Sequence, residues 1–180
     1  MTRPTLSVVL PAFNEAETIL DAVVALDEIL TETDLAFEII VVSDGSGDAT
    51  AAQARAAANP RLHVVEYERN MGKGYAVRTG SRVAAGEWIA WFDADLDLHP
   101  DALCSFLEVA RTEGADIVIG SKRHPDSSVE YPWHRRAYSW LYQQLIRALF
   151  HLNVRDTQVG IKLFRREALE AVLPSTSSGR

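Results

Sequence analysis

Asp93 and Asp95 stand one residue apart in Trp91-Phe92-Asp93-Ala94-Asp95, at the end of a short apolar run. Two carboxylates so placed can give two oxygen ligands to a hard cation, magnesium or manganese, which keeps its other positions for substrate phosphates. The same residues also read as a solvated acidic turn with a helix cap, and the pair alone does not separate the two readings. Asp44-Gly45-Ser46 brings a further carboxylate with exposed backbone groups, suited to hydrogen-bonding a base or ribose, or simply to making a turn. Lys73, between Gly72 and Gly74 at the start of a helical pattern, can present its ammonium and free backbone N–H groups to a phosphate.

Other chemistries lack their residues. Tyr67 stands where a Walker A loop needs its first glycine, and Gly74 replaces the Ser/Thr after the lysine. No G-x-G-x-x-G follows the first strand-like run, which disfavours a dinucleotide such as NAD. No G-x-S-x-G elbow supports a hydrolase. His63, His99, His124, His134 and His151 are scattered along the chain.

The elements that must position these groups alternate. Leu6 to Phe13 reads as a strand, followed by Ala16, Ile19, Leu20, Val23, Leu26 and Leu30 at helical spacing, with Asn14 as the expected cap and Glu17 as its capping-box acid. Phe37 to Val42 is a second strand, leading through Asp44-Gly45-Ser46-Gly47-Asp48 into an alanine-rich helix to about Ala58. Leu62 to Tyr67 is a third. After Asn70-Met71-Gly72-Lys73-Gly74 a helix runs to about Ala85, with Gly86 expected as its stop. Trp88 to Phe92 is the fourth strand, Pro100 opens a helix that Gly114 stops, and Ile117 to Ile119 is the fifth strand. Strands that are apolar throughout and joined by helices predict an α/β fold: an open, mostly parallel sheet flanked by helices on both faces. Ligands then bind at the carboxyl ends of the strands, which carry Asn14, Glu15, Asp44, Asp48, Lys73, Asp93, Asp95 and Asp97.

The 180 residues fit one domain, expected over 1–173 with a flexible tail at 174–180, and 47% apolar composition is enough for a core. Cys104 is alone and no Cys/His spacing suits zinc, which favours a reducing, cytoplasmic setting. A formal charge of −7 argues against binding nucleic acid by overall attraction. No apolar run approaches the ~18 residues of a spanning helix, so the chain reads as soluble or peripheral at the cytoplasmic membrane face.

Taken together, Pro11-Ala12-Phe13-Asn14-Glu15, Ser43-Asp44-Gly45-Ser46, Asn70-Met71-Gly72-Lys73-Gly74 and Asp93-Ala94-Asp95 resemble, in order and spacing, the family-2 inverting glycosyltransferases of GT-A fold. Asp156-Thr157-Gln158-Val159-Gly160-Ile161-Lys162-Leu163-Phe164 looks like the signature of dolichyl-phosphate β-glucosyltransferases and related polyprenyl-phosphate sugar transferases. The resemblance implies a Rossmann-like nucleotide-binding half in which Pro11 to Glu15, Asp44, Lys73, Asp93, Ala94 and Asp95 hold the donor, UDP-glucose by first choice. It implies a divalent cation on Asp93 and Asp95. Ser43 departs from the family's paired aspartates, and relatives commonly continue beyond this length, so a truncated chain is an open reading.

For the acceptor, a polyprenyl phosphate is largely ionised near neutral pH and can attack without a strong base. It needs cations to hold it, and Lys122, Arg123, Arg135, Arg136 and Lys162 are available, Arg123, Arg135 and Lys162 being the phosphate candidates. A saccharide or small-molecule hydroxyl would instead need a carboxylate base, for which Asp156 is the candidate. Asp95, Asp156 and Lys162 are thus the expected catalytic set. Binding of a nucleotide without turnover is a third reading. The apolar stripe between Trp133 and Leu152, with Arg135, Arg136 and Arg147, fits a helix in a membrane interface or one packed on the sheet.

Overall fold

The computed structural model describes residues 3–94, 99–120 and 161–173. In chain order its elements are β1 (Leu6–Ala12), α1 (Ile19–Thr31), β2 (Phe37–Asp44), α2 (Thr50–Ala56), β3 (Leu62–Tyr67), α3 (Lys73–Val83), β4 (Trp88–Trp91), α4 (Ala102–Glu113), β5 (Ile117–Ile119), β6 (Lys162–Arg165) and α5 (Arg166–Val172). The chain divides into two compact units, Met1–Val118 with Gly160–Arg180, and Ile119–Val159. Among the described residues the second unit contributes Ile119 and Gly120 alone.

The strands form one sheet in the order β3-β2-β1-β4-β6-β5. β1 pairs in parallel with β2 and β4, and β2 with β3, whereas β6 is antiparallel to β4. Every residue of β2 is buried, and β1 is buried except at Pro11, as expected for central strands covered on both faces. Alternate residues therefore feed two cores. Leu6, Val8 and Leu10 of β1 pack with Ile39, Val41, Trp88 and Ala90 under α1, α2 and α4. Val9, Ile40, Val42 and Ile89 face the other way, toward Ala76 of α3 and Leu169 of α5. Each fully buried Leu, Ile or Val contributes about 1.5–3 kcal/mol relative to exposure.

α3 lies close on its face because Gly80 has no side chain: a Cβ there would stand 2.4 Å from Val9 Cγ1 and 3.0 Å from Val42 Cγ2. At the far end of the sheet from the strand termini that carry the site, Ser7 Oγ donates to Glu38 Oε1 at 2.6 Å, and the backbone N–H groups of Ala85 and Gly86 donate to Glu38 and to Ser7.

Four local expectations change. α1 starts at Ile19, after Thr18, because Thr18 Oγ1 donates to Glu15 Oε2 at 2.8 Å and the Ile19 N–H reaches Glu15 O. Asn14 is not its cap but a positive-φ residue, φ 57°, that ties two loops together. α3 ends at Val83, where Ala84 turns extended, and Gly86 is glycine for another reason: a Cβ would meet Ser7 Oγ at 2.6 Å and Ser7 N at 2.7 Å. α4 begins at Ala102, with Pro100 in the preceding turn, whose carbonyl accepts from Leu103 N. Gly114, at φ 62°, stops it as expected.

Candidate functional site

The parallel register carries the site residues to one end of the sheet. Ala12 lies beside Ser43, and Asp44 beside Tyr67, at the last positions of β1, β2 and β3. Asp93 follows two residues after β4, and Lys73 opens α3 on the same face as Asp44. Together they border a cleft of about 330 Å³ lined by Pro11, Ala12, Phe13, Glu15, Asp44, Asn70, Gly72, Lys73, Ala76, Asp93 and Ala94. Nine of the expected donor residues, Pro11 to Asn14 and Glu15 among them, are described, and all but Asn14 line this cleft.

Two clamps shape its rim. In the first, Asn14 Oδ1 accepts from Gly47 N at 2.9 Å, Asn14 N donates to Ser46 Oγ, Glu15 N donates to Thr50 Oγ1 at 2.9 Å, and Ala16 N donates to Asp48 Oδ2. These bonds fix the loop after β1 to the loop after β2. The Thr50 hydroxyl, opposed by desolvation and aided by the backbone N–H groups of Thr50 and Ala16, holds Asp48 below its ordinary carboxylate value. Ser43, in the place of a second aspartate, joins this side through Ser46, with Oγ to Oγ at 3.0 Å.

The second clamp binds the loop after β2 to the loop before α3. Gly45 sits at φ 64°, and a Cβ on it would lie 2.2 Å from Asn70 N and 2.3 Å from Arg69 C, so the contact requires glycine twice over. Asp44, only 3% exposed, accepts from the Tyr67 hydroxyl and from Met71 N, both at 2.8 Å and both on Oδ1. Burial, then the hydrogen bond and charge of Asp44, pushes the Tyr67 phenol well above its ordinary value, so it stays protonated and donates.

Gly72, at φ 88°, is the N-cap of α3, and its carbonyl accepts from Tyr75 N and Ala76 N. This turn aims Lys73 across the cleft, where Nζ pairs with Asp93 Oδ1. The cleft thus holds a cation over one carboxylate and a helix amino terminus beside a second carboxylate, a setting for an anion and a polar heterocycle.

A cation of the magnesium type takes one or two carboxylates and completes its shell with substrate phosphates and water. Asp93 meets that need with a partly exposed carboxylate on the cleft, and Asp95 is its expected partner. No group of three or more His, Cys, Asp or Glu residues suited to a metal occurs among the described residues. Asp95, Arg123, Arg135 and Asp156 lie outside the described residues, as do Lys122, Arg136 and the stripe from Trp133 to Leu152. Lys162 is described: it begins β6 and stands in register with Trp91, at the end of the sheet where Asp93 follows.

Tyr67 escaped the sequence reading as a site residue. Its signal was its place at the last position of a strand one parallel register from Asp44, which only strand pairing reveals. Ser46 and Asp48 were read as turn formers and carry side-chain contacts as well, and Thr50, at the start of the alanine-rich helix, joins them through its hydroxyl.

The family model of glycosyl transferase family 2 matches residues 7–173, and the chain belongs to that family. It is 37% identical over 171 residues to glycosyltransferase AglD of Haloferax volcanii, covering 92% of this chain and 27% of that protein. It is 31% identical over 175 residues to the undecaprenyl-phosphate mannosyltransferase of Micrococcus luteus, covering 91% of this chain and 68% of that protein. It is 32% identical over 186 residues to the dolichyl-phosphate beta-glucosyltransferase ALG5C of Trichomonas vaginalis, covering 93% of this chain and 53% of that protein. Among solved structures, the glucosyl-3-phosphoglycerate synthase of Mycobacterium tuberculosis, in complex with Mn²⁺, UDP-glucose and phosphoglyceric acid, superposes with a TM-score of 0.68 at 27% identity, over 91% of this chain and 57% of that one. The fold is that of GT-A glycosyltransferases, and the chain spans between about a quarter and two thirds of the length of these relatives.

Proposed function

We propose that the cleft binds the nucleoside diphosphate of a nucleotide sugar and that the chain transfers its hexose, glucose by first choice and mannose by second, to a polyprenyl phosphate with inversion. The observation that carries the donor half is the convergence of Asp44, Lys73 and Asp93 on one cleft, from the end of β2, the start of α3 and the turn after β4. Asp44 accepts from the nucleoside, Pro11 to Glu15 form the wall against it, and Lys73 with the amino terminus of α3 receives the diphosphate. Asp93 and Asp95 would hold magnesium or manganese, which when bound offsets the charge of the leaving diphosphate.

The acceptor half is supported by relatives that act on undecaprenyl and dolichyl phosphates, and by the segment from Asp156 to Phe164. A phosphate acceptor is already anionic, so Arg123, Arg135 and Lys162 serve to position it, and Asp156 need not act as a base. No helix among the described residues is long and apolar enough to cross a membrane. The phosphoglyceric acid in the structural neighbour favours a second reading, transfer to a small-molecule acceptor, in which Asp156 would be the base.

Titration calorimetry with UDP-glucose and GDP-mannose, with and without Mn²⁺, tests the donor site. The proposal expects metal-dependent binding of one of them that is lost in Asp93→Ala. Metal-independent binding that survives this substitution counts against it.

A further inference from the structure

Asp44 presents an unusual division between its two oxygens. Oδ1 receives both the Tyr67 hydroxyl and Met71 N, whereas no hydrogen bond among the described residues reaches Oδ2, although Asp44 lines the cleft. A buried carboxylate with one oxygen saturated is held in a single rotation, and its other oxygen is left to accept from whatever occupies the cleft. Tyr67 does not line the cleft itself. Its ring is fixed on the other side by Tyr75, edge to face at 5.4 Å, so its hydroxyl has a defined position.

We propose that Tyr67 is a positioning residue for nucleoside recognition: by holding Asp44 Oδ1 it directs Oδ2 to accept from an N–H or O–H group of the bound nucleoside. This rests on the reading of the cleft as a nucleoside diphosphate site. It assigns Tyr67 to the nucleoside side and not to the diphosphate side, which belongs to Lys73 and Asp93. Loss of the phenol hydroxyl frees the carboxylate to rotate and removes one of two hydrogen bonds on a buried charge, an effect of about 1 kcal/mol, or roughly fivefold in affinity.

The test compares two probes on the 180-residue chain in Mn²⁺: UDP or GDP, whichever binds, and inorganic pyrophosphate, which carries the diphosphate without the nucleoside. Tyr67→Phe keeps the ring and its packing. The expected result is nucleoside diphosphate binding weakened about fivefold, pyrophosphate binding unchanged, and no further weakening when Tyr67→Phe is added to Asp44→Ala. Nucleoside diphosphate binding equal to that of the unsubstituted chain overturns the role of Tyr67 while leaving the cleft's reading intact. So does an equal loss of both probes, which would mark Tyr67 as a purely structural support. An unsubstituted chain that binds neither UDP nor GDP overturns both.

Discussion

Lys73 Nζ donates to Asp93 Oδ1, joining the first residue of α3 to the second residue after β4 across the cleft. The side chains are 64% and 30% exposed, and pairs so open to water contribute about 0–1 kcal/mol to stability. The pair's consequence lies in what it holds: a cation and an anion set against each other where a diphosphate and its counter-ion would each need one of them.

Lys73→Met is therefore expected to leave the thermal midpoint nearly unchanged and to weaken UDP binding in Mn²⁺ about tenfold or more, the effect of losing a charge-assisted hydrogen bond. Mn²⁺ alone should bind the variant more tightly, because Asp93 no longer faces an ammonium. Titration calorimetry reads both, and unchanged UDP affinity would remove Lys73 from the diphosphate site.

Two glycines of one loop give opposite expectations. Gly45→Ala combines φ 64° with contacts at 2.2 Å and 2.3 Å to the backbone of Asn70 and Arg69, so it must push the loops apart and cost more than about 2 kcal/mol. Gly47→Ala meets nothing within 4 Å and should lie within about 0.5 kcal/mol of the parent. Urea unfolding of the two variants measures the difference.

The Tyr67 phenol supplies a pH dependence. Its folded value lies above that of an unfolded tyrosine, about 10. Below about pH 10 both states hold the proton and the contribution is present in full; above it the unfolded state releases the proton first, and stability falls as pH rises toward the folded value. Unfolding midpoints measured from pH 9 upward should fall less steeply in Tyr67→Phe than in the parent. Identical slopes would mean that the phenol titrates normally.

Glu38 separates stability from binding. Its Oε1 accepts from Ser7 Oγ and Ala85 N at the end of the sheet away from the cleft. Glu38→Ala leaves those donors without their partner and should cost about 1–3 kcal/mol. UDP affinity of the folded variant, measured well below its unfolding midpoint, should be unchanged.

What the sequence disclosed followed from signals local to it. The run Leu62 to Tyr67 is a strand with those bounds, and Gly114 ends α4 because a left-handed cap leaves few residues to choose from. β6 was not read as a strand: four residues carry little periodicity, and Lys162–Arg165 is held by antiparallel register to β4, more than seventy residues away in the chain. The same holds for the glycines. Gly86 looked like a helix stop and is instead required by Ser7, and Gly45 looked like a turn former and is also required by Asn70. Asp44, Lys73 and Asp93 were legible because their chemistry is written in their types and neighbours. Tyr67 was not, because its partnership with Asp44 exists only in the pairing of β2 with β3.

The most direct test of the central claim is to incubate the 180-residue chain with labelled UDP-glucose or GDP-mannose, Mn²⁺ and a short polyprenyl phosphate, and to partition the products between water and organic solvent. The account predicts label in the organic phase, dependent on Mn²⁺ and lost in Asp93→Ala. Label transferred only to water-soluble product, or organic product that persists in Asp93→Ala, would contradict it.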